Sequence, residues 1–223
     1  MDWALLGGLP EADRRVVLAS TRRRTFARGE VVFHEADPAD TVHVVAEGRL
    51  AARRSTPRGD TVTFAILGPG ETFGELALLA AQPRRTSTVV ALEPAATLSL
   101  AFGDLERLRS AHPAVEREIV QMLALRVTRL SDHLLEALHV PADERIVRRL
   151  VEICDLYAGG GSSTVVVPLT QDAIGDLAGA SRPTTNRVLR RLEADHVLIL
   201  RRGSILVTDR PALAARAGDG LSR

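Results

Sequence analysis

The stretch from Ser181 to Arg191, SRPTTNRVLRR, carries four arginines and no acid. Arginine presents forked donors that match phosphate oxygens and the O6 and N7 acceptors of guanine, so this run has the chemistry to lie in a DNA groove. Thr184 and Asn186 add donors and acceptors on the same segment. A second group is Gly74-Glu75, followed later by Arg85-Thr86. A glycine lets a backbone approach an anion closely. The residues after it, Glu75, Leu76 and on to Leu79, suit a short helical turn whose N–H groups face that anion. Arg85 offers a two-pronged donor for it. Each group also has a plainer reading. The first is then a helical pair with a solvated basic face. The second is a glycine-turned roll with surface arginines, or a glutamate and an arginine paired in an otherwise empty pocket. No nucleophile–base pair appears. The histidines at 34, 43, 112, 133, 139 and 196 lack metal-ligand spacing, though His34 and His43 could meet in a roll.

The elements that must position these residues follow from periodicity. Leu169 to Leu192 reads as two helices joined by a tight turn. Thr170 is placed to cap the first, whose stripe is Ala173, Ile174, Leu177 and Ala178. Gly179 ends it where positive φ is needed. Ser181 caps the second helix and Pro183 sits in its first turn. Val188, Leu189 and Leu192 form its buried face; Arg182, Thr184, Asn186, Arg187, Arg190 and Arg191 occupy the others. Val197 to Leu200 and Ile205 to Val207, around Arg202-Gly203, make a hairpin whose tip arginines can reach a phosphate backbone. The tail from Asp209 reads as a short helix.

Upstream the period changes. Residues 5–20 suggest an amphipathic helix with Leu5, Leu9, Val16 and Val17 inward. From Thr25 to Ala101, alternating sets (Val31 and Phe33; Val42, Val44 and Ala46; Val62, Phe64 and Ile66) predict strands. Turn signals punctuate them at Arg28-Gly29, Glu47-Gly48, Arg58-Gly59-Asp60 and Gly68-Pro69-Gly70. Many short strands at regular spacing predict an antiparallel roll, which holds one small ligand or fills with side chains. A short helix covers 102–110. Pro113 then opens a long helix to about Leu138, with Val120, Leu123, Val127, Leu130, Leu134 and Ala137 alternately three and four apart. That is the seam of a two-stranded coiled coil. Ile119, Leu135 and Leu138 widen the stripe for packing on the roll. A lone amphipathic helix buried within its own chain is the alternative. Val140-Pro141 breaks the helix and is the expected hinge. A helix from Pro141 to Tyr157, a flexible loop from Ala158 to Ser163 and a strand at 165–167 complete the chain.

With 223 residues the chain has room for one large or two small domains, and its apolar content of 45% is ordinary for a globular protein. No run approaches a membrane span and no leader pattern opens the sequence, so a cytoplasmic protein with no membrane partner is expected. The lone cysteine, Cys154, excludes a disulfide framework or a cysteine-ligated cluster and sits in a helical apolar pattern as a small core residue. Net charge is only +1, and all 29 basic residues are arginine. Divided at Val140, the chain has 17 arginines against 18 acids before and 12 against 10 after, so its basic excess lies in one C-terminal helix. A local patch of that kind is what a groove reader requires.

Gly70 to Val89, GETFGELALLAAQPRRTSTV, resembles the phosphate-binding cassette of cyclic-nucleotide domains along its whole length. Leu169 to Leu192 resembles a winged helix-turn-helix. Together they identify almost the whole chain as similar to the cyclic AMP receptor protein / fumarate-nitrate regulator family. The resemblance implies an α+β fold: an N-terminal antiparallel β-roll of the cyclic-nucleotide-binding type at 1–112, a long dimerisation helix and hinge at 113–140, and a C-terminal winged helix-turn-helix at 141–223. It implies an effector site of Gly74, Glu75, Leu76, Arg85, Thr86, Arg126, Leu130 and Ser131. In it Glu75 accepts from a ribose hydroxyl, Arg85 rather than Arg84 takes the phosphate, and Arg126 points at the phosphate side. Leu130 departs from the hydroxyl that cyclic AMP-responsive members carry there, while Ser131 keeps one. The effector implied is a cyclic nucleotide, cyclic AMP or cyclic GMP, and the iron–sulfur sensors of the same broad family are excluded by the cysteine count.

On DNA the resemblance assigns base edges to Arg182 and Arg187, phosphates to Ser181 and Thr184, with Thr170 joining them, and Asn186 to the same face. Pro183 replaces a glutamate that accepts from cytosine, so the half-site should differ at that base pair. The implied function is a non-enzymatic bacterial transcription regulator: a homodimer on a palindromic operator, with RNA polymerase as a further partner, switched by an effector that shifts a conformational population. Two alternatives remain open at this point. One is a member of the family that binds DNA with no small effector. The other is a cyclic-nucleotide-binding module acting through an enzyme or protein partner.

Overall fold

A computed structural model describes residues 3–55, 61–80, 83–158 and 164–218. The turn expected at Arg58-Gly59-Asp60 and most of the loop expected at 158–163 lie outside the described residues.

The order of elements is α1 (Glu11–Ser20), β1 (Arg22–Phe26), β2 (Val31–Phe33), β3 (Thr41–Glu47), β4 (Leu50–Ser55), β5 (Thr61–Leu67), β6 (Thr72–Phe73), β7 (Thr88–Ala91), β8 (Ala95–Ala101), α2 (Phe102–Ala111), α3 (Pro113–His139), α4 (Ala142–Tyr157), β9 (Val165–Val167), α5 (Gln171–Ala178), α6 (Arg182–Ala194), β10 (Leu198–Arg201), β11 (Ser204–Val207) and α7 (Arg210–Arg216). One sheet runs β1-β8-β3-β6 and a second β2-β7-β4-β5, the two halves of the antiparallel roll. A third, β10-β11-β9, forms the wing. Contacts divide the chain into two units: Met1–Ser55 with Phe64–Arg129, and Thr56–Thr63 with Leu130–Arg223.

In the first unit β3 explains the packing. Val42 and Val44 face a cluster of Trp3, Leu5, Leu6, Leu9, Leu105, Leu108, Val115 and Ile119. Val45 faces a second cluster with Phe26, Leu50, Leu67, Phe73 and Val89. A strand buried on both faces loses the alternation that predicts strands, yet the chain still reads Thr-Val-His-Val-Val there because β-branched residues suit a pleated core. β5 reverses the expected phase. Thr63 and Leu67 are buried, whereas Val62 is exposed and Phe64 and Ile66 are half-buried. The N-terminal segment is not one helix. A short 3₁₀ turn at Ala4–Leu6 and the helix α1 are separated by Gly7-Gly8 and by Pro10, which N-caps α1. Leu5 and Leu9 are buried as expected, but that break rotates Val16 outward, where it is 70% exposed.

Helix α3 presents two faces. Val115 and Ile119 are buried against the first cluster, and Leu123 packs beside them, half-buried. Val120, Val127, Leu130, Leu134 and Ala137 stay exposed within the chain. Leu135 and Leu138 are exposed within the chain too. The Val140-Pro141 turn is held on both sides. Glu136 in α3 accepts from Arg148 at 3.2 Å and also pairs with Arg149, both in α4. Arg149 Nη1 lies 2.7 Å from His133 Nε2, and Arg145 Nη1 donates to Val140 O at 2.7 Å. These contacts tie the end of α3 to the start of α4 across the turn. Its α4 side packs Ile146, Leu150, Ile153 and Cys154 into the core, and burial pushes the Cys154 thiol up to about 11.

Candidate functional site

The cassette lies between β6 and β7. Gly74 has φ 84°, and a Cβ there would stand 2.5 Å from Arg85 Nη1. The close approach that Gly74 permits is therefore to a guanidinium of the same chain. Glu75–Ala77 forms the expected short turn. Arg85 is buried: Nη1 donates to Thr41 O at 2.7 Å and Gly74 O at 3.4 Å, and Nη2 donates to Thr41 Oγ1 at 2.8 Å. Its Cζ lies 4.1 Å from the centre of the Phe33 ring, a cation–π geometry. Burial pushes this guanidinium down from its ordinary value, opposed by Asp40, Asp37 and Glu75. The fork expected to face an anion thus spends part of its donors on Thr41 and Gly74. Arg84 is exposed and donates to Ala36 O at 2.9 Å.

Glu75 is 2% exposed and pairs with Arg126 from α3. Arg126 also donates to Thr72 O at 3.0 Å, while Thr72 Oγ1 accepts from Trp3 Nε1 at 2.8 Å. The pairing open from the sequence, glutamate with an arginine of its own cassette, is instead made with an arginine 51 residues away. Burial pushes the Glu75 carboxyl up against the pull of Arg126. Glu75 Oε2 and Arg85 Nε are buried with no hydrogen-bond partner among the described residues. Two buried polar atoms in one small region can each take a hydrogen bond from outside the chain, from a ligand group or from water. A hydroxyl that donates to Glu75 fits this arrangement. Arg85 keeps its Nε–H and one Nη2 hydrogen outside the bonds to Thr41 and Gly74, and these can donate to an anion. Leu76 is exposed, and so is Thr86, because Arg85 and Ser87 on either side take the inward positions. Leu130 and Ser131 belong to the second unit and are exposed within the chain.

His43 stacks on Phe73 with ring centres 5.1 Å apart, and Phe33 completes the aromatic group. Its pKa is pushed down to about 3, first by burial and then by the Arg85 and Arg24 guanidinium groups. A neutral imidazole beside Arg85 is what burial with a cation demands. His34 is not its partner in the ring contacts, and among the described residues no three His, Cys, Asp or Glu side chains converge on a metal position.

In the second unit, the caps read from the sequence are present. Thr170 Oγ1 accepts from Ala173 N at 3.2 Å, and Gly179 is left-handed at the end of α5. Ser181 Oγ accepts from Thr184 N at 3.4 Å and lies 2.9 Å from Thr184 Oγ1. Sequence reasoning missed Arg145, which donates from Nε and Nη2 to Ala178 O and Gly179 O at 2.9 and 3.0 Å and so seals the C-terminus of α5. It also missed Gly175. A Cβ there would meet Thr185 Oγ1 at 2.7 Å and Ala180 O at 3.3 Å, so α5 and α6 close on each other at this point. Buried Thr185, Val188, Leu189 and Leu192 anchor α6 and leave Arg182, Asn186 and Arg187 exposed. Those three meet Asp172, Gln171 and Asp143 respectively. The start of α5, the start of α6 and the wing tip enclose a cleft of about 330 Å³ lined by Thr170, Arg182, Asn186, Arg201 and Arg202 among others.

The Cyclic nucleotide-binding domain family matches residues 23–112, and the Crp-like helix-turn-helix domain family matches residues 144–216. The chain is 31% identical over 206 residues to the Cyclic AMP receptor protein of Thermus thermophilus, covering 92% of each. It is 29% identical over 194 residues to the CRP-like cAMP-activated global transcriptional regulator of Mycobacterium tuberculosis, covering 86% of each. Among solved structures, FixK2 from Bradyrhizobium japonicum shares the fold with a TM-score of 0.76 at 22% identity, over 90% of this chain and 99% of that one.

Proposed function

This chain belongs to the cyclic AMP receptor protein / fumarate-nitrate regulator family of transcription regulators, and we propose that it binds a palindromic DNA operator as a homodimer whose affinity is set by a cyclic nucleotide in the roll. The observation that carries the reading is the cleft at the second unit. Thr170, Arg182 and the wing arginines Arg201 and Arg202 line it together. In this reading Arg182 and Arg187 take base edges, Asn186 supports them, and Ser181, Thr184 and Thr170 take phosphates. The exposed α3 row of Val120, Val127, Leu130, Leu134 and Ala137 is covered by the same row of a second copy, with Leu123 contributing at its inner margin. A two-fold pair of this kind matches a two-fold operator. We assign the chain no catalytic step. The cytoplasm is its proposed setting, and RNA polymerase is its further partner where transcription rises. No helix among the described residues is long and apolar enough to cross a membrane.

The effector acts by exchange. A ribose-like hydroxyl donating to Glu75 Oε2 satisfies a buried atom that otherwise has no partner. A phosphate takes the unused Nε–H of Arg85 and competes with Thr41 for its terminal nitrogens, and Arg126 lies beside Glu75. The state that accepts the nucleotide is stabilised only by the difference between ligand bonds and the internal bonds they replace, so the switch works by differential affinity. Selection of genomic DNA with and without cyclic AMP or cyclic GMP tests the whole reading. The expected result is one palindromic motif, enriched more strongly with one nucleotide, with affinity falling steeply as salt rises. Random DNA recovered under every condition would refute it.

A second reading has its own observation. The Thr41–Arg85 bonds and the Glu75–Arg126 pair largely satisfy the cassette from within, which suits a regulator that needs no small effector. Calorimetry with cyclic AMP, cyclic GMP and cyclic di-GMP separates the two. Absence of heat with all three, alongside tight operator binding, selects the second.

A further inference from the structure

We propose that Asp172 is a positioning residue for Arg182 and sets how sharply this protein separates its operator from other DNA. The proposal rests on the DNA-reading role given to α6 above. Three polar side chains on the exposed side of α6 are each held from another helix. Arg182 Nε lies 3.1 Å from Asp172 Oδ1, Asn186 Nδ2 donates to Gln171 Oε1 at 3.1 Å, and Arg187 Nη2 donates to Asp143 Oδ1 at 2.7 Å. Gln171 and Asp172 open α5, and Asp143 lies in the first turn of α4. An acid at a helix start already has a local reason to be there, because it complements the positive end of the helix. Two features of Asp172 go beyond that reason.

The first is which nitrogen it holds. The carboxylate comes nearest Arg182 at Nε, an ion pair at 3.1 Å with both side chains largely exposed. Two donors of a guanidinium suffice to grip O6 and N7 of guanine, so the two terminal nitrogens can read the base while Nε faces Asp172. A side chain already anchored in one geometry loses less freedom when it closes on its target. The second is where the carboxylate stands. Among the residues lining the cleft, Asp172 is the one acid beside Arg182, Arg201 and Arg202. A phosphate entering the cleft meets three guanidinium groups and this one negative charge. The repulsion alone lowers binding to every sequence alike and leaves the ratio unchanged; the ratio widens because the same carboxylate positions Arg182, a gain realised only on a duplex that offers the right base edge. Specificity is a difference between two affinities, and an element that penalises wrong partners widens it.

The test uses the full chain with Asp172→Asn and Asp172→Ser, both of which keep an acceptor at the start of α5. Each is measured against the operator and a scrambled duplex of equal length, over a salt series, with and without Arg182→Ala. The scrambled duplex should be bound roughly two- to fivefold more tightly, the range expected for losing one exposed charge contact. The operator should gain less or lose, so the operator-to-scrambled ratio falls. The salt dependence should steepen by up to about one phosphate contact. Base selection should relax at the pair read by Arg182, and none of these changes in ratio should survive in the Arg182→Ala background. Equal shifts for both duplexes, or an unchanged ratio, would reduce Asp172 to a helix-start residue and overturn the proposal. If Arg182→Ala alone leaves operator selection intact, the reading of α6 fails and the proposal falls with it. If Arg182→Ala relaxes selection while the Asp172 variants do not, only the proposal fails.

Discussion

Glu75 and Arg126 form an ion pair inside the sensor roll, the carboxylate 2% exposed and the guanidinium reaching in from α3. Removing one partner leaves the other charged and desolvated. Arg126→Met should therefore cost about 3 kcal/mol, toward the low end for a broken buried pair because Arg126 is partly exposed. Glu75→Leu combined with Arg126→Met should cost much less than the sum of the two single changes. Urea unfolding of the four proteins measures that coupling, and strict additivity would deny the pair any energetic role.

His43 gives the roll a pH response. The unfolded chain takes up a proton near pH 6.5, while burial and Arg85 keep the folded imidazole neutral down to about pH 3. The folded state therefore holds fewer protons between those values, and stability falls as pH drops below 6.5, by up to about 1.4 kcal/mol per pH unit. Denaturant midpoints between pH 7.5 and 5.5 should slope less in His43→Gln than in the parent. Parallel slopes would mean that His43 is protonated in the fold.

Gly175 sits where α5 and α6 are closest. In an open helix Gly175→Ala would gain about 1 kcal/mol of propensity. Here the new Cβ runs into Thr185 Oγ1, which is buried and bonded to Ser181 O at 3.1 Å. Overpacking of roughly 1–3 kcal/mol should outweigh the gain, so Gly175→Ala lowers stability and Gly175→Val lowers it further. Operator affinity should fall in step as α6 is displaced. A rise in melting temperature for the alanine variant would contradict the geometry.

The α3 row predicts an obligate role for pairing. Val127→Glu with Leu134→Glu places charge on two exposed apolar positions of one chain and should leave its fold intact. Sedimentation should then report a monomer. Operator affinity should drop by roughly 100-fold or more, the loss expected when two linked half-site contacts become one. A charged variant that remained dimeric would locate the interface elsewhere.

Arg182→Ala should cost about 1–3 kcal/mol on the operator and relax selection at a single base pair. Arg201→Ala, at the wing, should weaken all duplexes alike and flatten the salt dependence. Selection from a randomised half-site distinguishes the two patterns, and identical profiles for both variants would contradict the assigned roles.

Local order was legible in the residues themselves. Thr170, Gly179 and Ser181 mark the ends of α5 and α6 because capping is decided within four residues of chain. The α6 stripe of Val188, Leu189 and Leu192, the turns at Gly29, Gly48 and Gly70, and the extent of α3 follow from periodicity and from backbone conformations that glycine tolerates. What only the tertiary structure decided is which groups meet at a distance. Thr41 takes the donors of Arg85 from 44 residues away, Arg126 rather than Arg85 answers Glu75, and Asp172 anchors Arg182. The same holds for the reversed phase of β5, the outward turn of Val16 and the contacts of Glu136 with Arg148 and Arg149 across Pro141. A linear pattern records how often a side chain of a given polarity returns. It carries no record of which carboxylate a guanidinium will choose, because that choice depends on burial and on packing partners far away in sequence.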